Sequence, residues 1–339
     1  NVSVGRFSQT FSEGRRVGGI VLGRTGDSGD YVAGGVDGTL TLFDRHMTLN
    51  GFLAQSKSDQ HRQSGAAQVS LDWTSQDFYA TAAYVDVGKA FDGQLGYFPL
   101  IGVRSEILAA GYTPVIRNDL VQQVMLESQL ILARDRGDQR IFDRGVLTAT
   151  AVTIDQAFIQ VQLLPAIEQV AQNFTLANGQ VNVTAGRYDQ LTLAINANTP
   201  PRRTVVGGLG YSGGDLFAGR RRAPWASLGL NLGRLRSTLY YQLFLVNYGQ
   251  SALTGHQVSA RASLSYTPLF KSTLVVETNT LSARGLAQFI TSYVFGELST
   301  IALVVRGTTG STVQVQALDW YDTPNVSAVL SFAYGITPF

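Results

Sequence analysis

Strict alternation of polar and apolar residues between Gln257 and Asn279 is the feature that most constrains how this chain can fold. In the first run the polar positions are Gln257, Ser259, Arg261, Ser263, Ser265 and Thr267, and between them lie Val258, Ala260, Ala262, Leu264, Tyr266 and Pro268. After a break at Leu269 and Phe270, a second run places Lys271, Thr273, Glu277 and Asn279 opposite Ser272, Leu274, Val276 and Thr278. Because successive side chains of a strand point to opposite faces, the two runs predict an antiparallel hairpin with one polar and one apolar face. The apolar face of such a hairpin packs on a core in a soluble sheet, whereas it contacts lipid in a membrane barrel with a polar interior.

The composition favours the membrane alternative. Charged residues make up 15% of the 339 residues, against roughly 25% in a typical soluble domain. No stretch approaches the roughly 18 to 20 consecutive apolar residues of a membrane-spanning helix, and the longest apolar runs, such as 301–305, have the length of a strand. Few charges without long apolar runs indicate alternating strands, and no linker divides the chain. We therefore predict one all-β domain over residues 1–339, an antiparallel transmembrane β-barrel.

The residue types present argue against several classes of function. Cysteine is absent, which excludes a thiolate metal site or a thiol nucleophile. The three histidines, His46, His61 and His256, lack the spacing of a metal site or a catalytic dyad, and we interpret them as solvated polar residues. Asp59 beside His61 is a weak hydrolase candidate. A net charge of +2 does not favour a nucleic-acid partner. From the absence of cysteine and the spacing of the histidines, we predict a protein that is not an enzyme and needs no cofactor or metal.

The same alternation recurs along the chain and predicts about 18 to 20 strands. They are expected near 1–7, 17–23, 31–43, 46–54, 67–74, 79–87, 105–112, 121–133, 147–153, 157–163, 181–185, 191–196, 204–211, 225–233, 237–247, 257–268, 271–279, 286–295, 300–306 and 326–336. The segment 165–179 fits least well, and 166–172 is a candidate for a short helix in a loop or plug.

The lengths of the breaks between these strands alternate, which indicates sidedness. Tight breaks are expected at 44–45, 75–76, 155, 234–235, 269–270 and 297–298, and longer ones at 57–65, 88–104, 135–142, 165–180, 213–220, 248–256 and 308–325. Bacterial outer-membrane barrels have short periplasmic turns and longer extracellular loops. The aromatic Phe339 also resembles the signal that the barrel assembly machinery recognises. The sequence therefore predicts a bacterial outer-membrane location.

Counting strand directions backwards from the last strand leaves the first one, at 1–7, running inwards from the outside. Single-chain bacterial barrels normally have an even number of strands. Either residues 1–8 are not a barrel strand, or further strands precede Asn1 and this chain is the C-terminal part of a larger barrel. We favour the second expectation.

Several short motifs resemble a largely uncharacterised family of bacterial outer-membrane barrels, often fused behind a carbohydrate-binding domain similar to the family-nine modules of xylanases. They are Arg6, Arg16-Val17-Gly18-Gly19-Ile20, Gly34-Gly35-Val36-Asp37, Leu42-Phe43-Asp44-Arg45, Leu49-Asn50-Gly51-Phe52-Leu53-Ala54, Phe91-Asp92-Gly93-Gln94-Leu95-Gly96-Tyr97-Phe98-Pro99 with Arg104, and Ser265-Tyr266-Thr267-Pro268-Leu269. The chain departs from the family at Glu277-Thr278-Asn279, where Gln-Tyr-Asn is usual. The resemblance implies an upstream sugar-binding domain and transfers no catalytic residues.

Polar positions of the predicted strands provide candidates for the lining of a lumen. They are Asp37, Asp72, Asp86, Glu127, Gln160, Arg261, Lys271 and Glu277. Charges of both signs are tolerated there only in water or in pairs, which indicates a wet or salt-bridged interior. Tyr240, Tyr241, Tyr266, Tyr293, Phe295 and Tyr334 are expected to form an aromatic girdle at the membrane interface.

A second candidate site is the positive patch of Arg220, Arg221 and Arg222, which we group with Arg202 and Arg203. Arginine clusters bind phosphate groups, so lipopolysaccharide or an anionic cargo is one interpretation. Ordinary loop charge is the alternative that we favour at this point.

These features predict a passive, porin-like channel in the outer membrane, with a saccharide cargo implied only by the family resemblance. The partners expected are outer-membrane lipid, lipopolysaccharide, the assembly machinery and an upstream sugar-binding domain or other envelope protein. The alternative is a non-transporting anchor or scaffold, which a plug from 88–104 or 165–180 would favour. A soluble all-β carbohydrate-binding domain is a third possibility.

Overall fold

The computed structural model describes residues 2–12, 14–26, 29–58, 63–91, 101–116, 118–176, 179, 181–281, 284–296, 299–309 and 325–333. Strands form most of this part of the chain, and it contains no helix. The strands are β1 (Val2–Ser12), β2 (Arg15–Arg24), β3 (Tyr31–Leu42), β4 (Met47–Ser58), β5 (Ser64–Thr74), β6 (Phe78–Val87), β7 (Val103–Tyr112), β8 (Val121–Asp135), β9 (Arg140–Thr153), β10 (Phe158–Val170), β11 (Phe174–Leu176), β12 (Val181–Val183), β13 (Gly186–Asn198), β14 (Val205–Leu216), β15 (Gly219–Leu232), β16 (Leu235–Tyr248), β17 (Ser251–Ser265), β18 (Phe270–Asn279), β19 (Arg284–Gly296), β20 (Ser299–Thr309) and β21 (Asn325–Ala333).

No helix long and apolar enough to span a membrane occurs among the residues that the structure describes.

Nineteen of these strands form one antiparallel sheet in which each strand pairs with the next along the chain. The exceptions, β11 and β12, form a separate two-stranded sheet, so that β10 pairs with β13. The predicted all-β antiparallel fold and its number of strands are confirmed. β1 pairs with β2 along most of its length, so the alternative that residues 1–8 lie outside the sheet is wrong. β1 and β21 run in the same direction, and no pairing joins them within the described residues.

The register divides the sheet into two chemically different faces. Directly paired residues of neighbouring antiparallel strands share a face, as do Asp72 with Thr48 and Thr81, or Glu277 with Ser259. We call this the polar face. The opposite, apolar face carries large side chains that are more than half exposed. Examples are Leu53, Leu209 and Leu228, with exposed fractions of 62%, 65% and 55%. The predicted alternation of the 257–279 hairpin is confirmed by β17 and β18.

The two ends of the sheet differ in their connections. One end, the short-turn rim, has the connections 43–46, 75–77, 113–120, 154–157, 199–204, 233–234 and 266–269. The other, the long-connection rim, has 88–102, 171–185 and the segment between β20 and β21. Three expectations of long breaks on this second rim are wrong. Only 136–139 separate β8 from β9 and only 217–218 separate β14 from β15. Only 249–250 separate β16 from β17, where Gly249 takes the positive φ that a tight hairpin turn requires.

The segment 165–179 also differs from its prediction. β10 continues to Val170, so the helix considered for 166–172 is absent, and 181–183 belong to the small hairpin instead of the main sheet. Pro165 lies inside β10, where pairing with β9 is interrupted at 164–165 because proline has no N–H to donate. A Cβ at Gly145 would lie 3.0 Å from the Pro165 ring, so this glycine provides the space for it.

Gly111 lies under the ring of Tyr79, and we expect its replacement by alanine to destabilise the sheet. An added Cβ would lie 2.2 Å from a ring carbon of Tyr79. Overpacking of this kind costs about 1–3 kcal/mol. Gly23→Ala is the matched control, because a Cβ at Gly23 has no neighbour within 4 Å. Urea titration of the detergent-folded variants measures the free energy of unfolding, and equal losses for both variants would contradict the packing.

A hydrogen-bonded carboxylate at the short-turn rim should make stability depend on pH. The hydrogen bond from the Thr153 hydroxyl, 2.6 Å away, is the main cause that lowers the pKa of Asp155; desolvation of the carboxylate opposes it, and Arg203, 2.9 Å away, lowers the pKa further. A lowered pKa in the folded state adds stability above the usual carboxyl pKa, and this stability is lost as the pH falls through the folded value. We expect the stability difference between the wild type and Asp155→Asn, measured by urea titration at several pH values, to vanish at low pH.

Candidate functional site

The carboxylate of Asp37 on the polar face forms ion pairs with two arginines. Arg16 donates to it at 3.3 Å and Arg6 lies 3.9 Å away, so three consecutive strands contribute to one ion cluster. Its carboxylate lies over Gly18, where a Cβ would come within 2.7 Å of an oxygen. Asp37 is therefore on the face that the sequence predicts, and it is paired instead of free.

Two further acidic candidates of the polar face are held by neutral donors. Asp72 accepts hydrogen bonds from Asn50 at 3.2 Å and Thr81 at 2.8 Å, and Glu127 accepts one from the Tyr79 hydroxyl at 2.9 Å. Such hydrogen bonds satisfy a carboxylate that neighbouring strands crowd. Both residues therefore link neighbouring strands.

Gln160 belongs to a chain of amides and aromatic rings. It donates to Thr150 at 3.2 Å and accepts from Asn196 at 3.4 Å, and the Asn196 oxygen accepts from the Trp225 indole N–H at 3.1 Å. The Trp225 and Tyr240 rings lie 5.7 Å apart between centroids, with 31° between their planes. The sequence prediction missed Trp225 and did not place Tyr240 on this face, although both share the parity of polar neighbours in their strands.

Basic groups on the polar face concentrate on β16 to β18. Arg236, Arg261 and Lys271 are exposed there, and within the described ranges none has an acidic group within 4.0 Å. Glu277 on β18 is also exposed, with Ser259 donating at 3.5 Å. The uncompensated charge of this part of the face is therefore positive.

Asp86 is the one lumen candidate that the prediction placed on the wrong face. It pairs across the strands with Ala67 and Arg104, which lie on the apolar face, and it accepts from Arg136 at 2.8 Å. Other ion pairs of the long-connection rim are Arg104 with Asp138 at 3.6 Å, Arg140 with Asp143 at 3.0 Å, Arg134 with Asp143, and Arg187 with Asp189 at 3.1 Å. Among the described residues, charged side chains of the apolar face lie close to strand ends, which leaves the central band of the described face uncharged.

The three consecutive arginines 220–222 do not act as one patch. Arg220 and Arg222 are exposed at the apolar side of the long-connection rim, whereas Arg221 points to the polar side, where its Nε is buried without a hydrogen-bond partner. Arg220 and Arg222 line a cavity of about 390 Å³ together with Asp189, Asp215 and Asn247. Arg202 and Arg203 lie at the opposite rim, so the prediction that joined the two groups is wrong.

Aromatic rings gather at the short-turn rim. Phe270 lies 4.8 Å from Tyr266 and 6.4 Å from Tyr293, and Trp73 lies 6.3 Å from Phe43, measured between centroids. Tyr266 and Tyr293 therefore fit the predicted girdle. Tyr240 does not, because it lies on the polar face. Tyr334 and the side chain of Phe295 are outside the described part of the chain.

The histidines occupy three different settings. His46 lies at the short-turn rim, 2.7 Å from the Thr74 carbonyl oxygen. His256 lies in β17, with Nδ1 2.8 Å from the Tyr241 hydroxyl, so the prediction of a loop position is wrong. His61 and Asp59 lie outside the described residues. The described part of the chain contains no group of three acidic or histidine side chains that could hold a metal ion.

Part of the long-connection rim folds over the polar face. Phe91, just after β6, is buried against Ala66 and Val87, which are both polar-face positions. The Phe174 ring of the small hairpin lies 5.5 Å from the Phe217 ring, and the Phe217 ring lies 5.3 Å from the ring of Tyr188 on the polar face, both measured between centroids. Each of the two segments suggested as plugs therefore has one described aromatic residue, Phe91 or Phe174, that packs on the polar-face side of this rim.

No protein-family model matches this chain, and no curated protein matches it with significant similarity.

Proposed function

We propose that this chain is an outer-membrane β-barrel of a bacterial envelope and acts as a passive channel for small polar solutes. The observation that carries the proposal is the continuous apolar face, whose large side chains stay exposed from β2 to β20. Monomeric soluble proteins rarely expose apolar patches of more than a few hundred Å². A closed sheet in a bilayer removes this cost, because acyl chains cover the apolar face and every backbone group is paired.

The order of side chains along the apolar face supports this setting. Aromatic rings at one rim, an uncharged band in the middle and charges at the other rim match a membrane interface, a hydrocarbon layer and a headgroup layer. Arg220 and Arg222, exposed beside that charged rim, would contact lipopolysaccharide phosphates. The short turns would then face the periplasm, where barrel assembly machinery acts.

The polar face supports a channel more than a filled barrel. Nineteen strands exceed the roughly 16 at which a barrel encloses an aqueous channel. Among the described residues, acidic side chains of this face such as Asp37, Asp72 and Glu127 are engaged in bonds between strands. The unpaired Arg236, Arg261 and Lys271 would give a weak preference for anions. A saccharide cargo draws support from the family resemblance, as does an upstream sugar-binding domain.

A scaffold without transport is the second candidate, and Phe91 is the observation that favours it. Its burial against Ala66 and Val87 shows that the 88–102 connection starts across the polar face. A connection that continued in this direction would narrow or plug the lumen. The protein would then anchor an envelope partner, and purified, folded protein would give no conductance.

A pair of neighbouring substitutions tests the membrane assignment. Leu228→Arg places a charge in the centre of the apolar face, whereas Ser227→Arg places the same charge on the polar face. Arginine at the lipid face near the bilayer midplane costs about 2–4 kcal/mol. We expect only Leu228→Arg to reduce the stability of the folded protein in lipid vesicles. The heat-dependent gel shift of the folded form measures the folded fraction. Equal tolerance of both variants would count against a lipid-facing position for Leu228.

Charge reversal on the polar face tests the channel. The double variant Arg261→Glu/Lys271→Glu should shift the permeability of planar-bilayer channels towards cations by about twofold or more at low salt, because exposed charges raise the local counter-ion concentration. Arg220→Glu/Arg222→Glu carries the same two reversals at the apolar side and should leave the permeability ratio unchanged. Silence from correctly folded wild-type protein would overturn the channel and leave the scaffold.

A further inference from the structure

A single row of directly paired residues on the polar face crosses nine strands, β9, β10 and β13 to β19. Its members in order are Thr150, Gln160, Asn196, Gly210, Trp225, Gln242, Gln257, Asn279 and Arg284. Five of the nine are amides, and the row carries no charge before Arg284. Uncharged amides with donors and acceptors thus line one continuous path.

The row passes from one rim of the sheet to the other. Gln160 lies next to the start of β10 at the short-turn rim, whereas Asn279 is the last residue of β18 at the long-connection rim. The positions between them move steadily along their strands, as the stagger of a barrel requires. A ligand that follows the row would therefore cross the whole depth of the sheet.

Trp225 lies near the middle of the row as a flat platform. Its indole occupies the space that side chains at Gly208 and Gly210 would fill, since Cβ atoms there would lie 3.0 Å and 2.4 Å from ring atoms. One ring face thus rests on the backbone of β14, and the hydrogen bond to Asn196 fixes its orientation. The Trp225 side chain is half-buried, and the half-buried ring of Tyr240 lies 5.7 Å away between centroids, with 31° between the two ring planes.

We infer that this row is a binding track for a linear neutral oligosaccharide, with Trp225 as its central stacking platform. The inference rests on the proposed barrel, and it names a substrate class for the channel. The negative face of an aromatic ring attracts the polarised C–H groups of a sugar ring. Side-chain amides both donate and accept, which matches the hydroxyl groups around the sugar ring. The absence of charge along the track up to Arg284 favours neutral ligands over acidic ones.

Isothermal titration calorimetry of the full chain folded in detergent tests the track with maltohexaose and xylohexaose as probes. We expect saturable binding of at least one probe and a loss of affinity of about tenfold or more in Trp225→Ala, since a central Trp often contributes most at a binding site. Trp225→Phe keeps a platform and should retain most of the affinity. Trp73→Ala, at the short-turn rim of the apolar face, is the matched control and should bind as the wild type does.

A second variant keeps the test decisive if Trp225→Ala does not fold. Gln242→Ala/Gln257→Ala removes two neighbouring amides of the track without opening a gap over Gly210, and it should lower the affinity by about fivefold to tenfold. Unchanged affinity in both variants would overturn the track, as would unchanged affinity in the double variant alone if Trp225→Ala does not fold.

Bilayer recordings with the same probes separate this inference from the proposed channel. If the channel opens steadily, and neither probe binds the protein or blocks the current, the saccharide track is overturned and the channel stands. Trp225-dependent binding by a protein that never conducts would overturn the channel and support the track as a surface or plugged site. Occlusion that Trp225→Ala shortens would support both.

Discussion

The continuous register of the antiparallel meander is the constraint on which the rest of this structure depends. A slip of one residue between two strands would exchange the faces of every side chain beyond it. Shifts of register are confined to strand ends, as at Thr10 in β1 and Val294 in β19, and the interruption at Pro165 inside β10 leaves the register unchanged. Asp37 in β3 and Glu277 in β18 therefore lie on one face, although many strands separate them.

In addition to the backbone ladder between its strands, this sheet has side-chain contacts on its polar face that link neighbouring strands. One arrangement recurs three times: a side chain crosses a glycine on the next strand and reaches a partner on the strand beyond. Tyr79 crosses Gly111 to Glu127, Trp225 crosses Gly210 to Asn196, and Asp37 crosses Gly18 towards Arg6. Glycine is needed at each crossing, because a Cβ would occupy the space of the crossing group. These bridges link three strands at a time and fix the orientation of groups that would meet a solute.

The alternation of faces also divides the chemistry of the protein. Arg220 and Arg222 point outwards at the charged rim, while Arg221 between them points to the polar side. Adjacent residues thus serve different surroundings, the headgroup layer on one side and the interior on the other under the proposed barrel. The proposed track uses the same rule, since Trp225 and Gln242 face inwards between apolar neighbours that face outwards.

The sequence by itself determined most of the strands through their alternation, and their antiparallel order through the short breaks between them. Alternation also determined the face of Asp37, Asp72, Glu127, Gln160, Arg261, Lys271 and Glu277, because a period of two is local and needs no knowledge of the partner strand. Asp86 was misplaced because its neighbours Val85 and Val87 are apolar on the polar face, so polarity no longer identified the face. Only the tertiary structure decided which distant residues meet. The separation of Arg202 and Arg203 from Arg220, and the row from Gln160 through Trp225 to Asn279, depend on strand stagger. That stagger is set by turns such as 217–218 and by cross-strand hydrogen bonds, which couple positions that no local pattern relates.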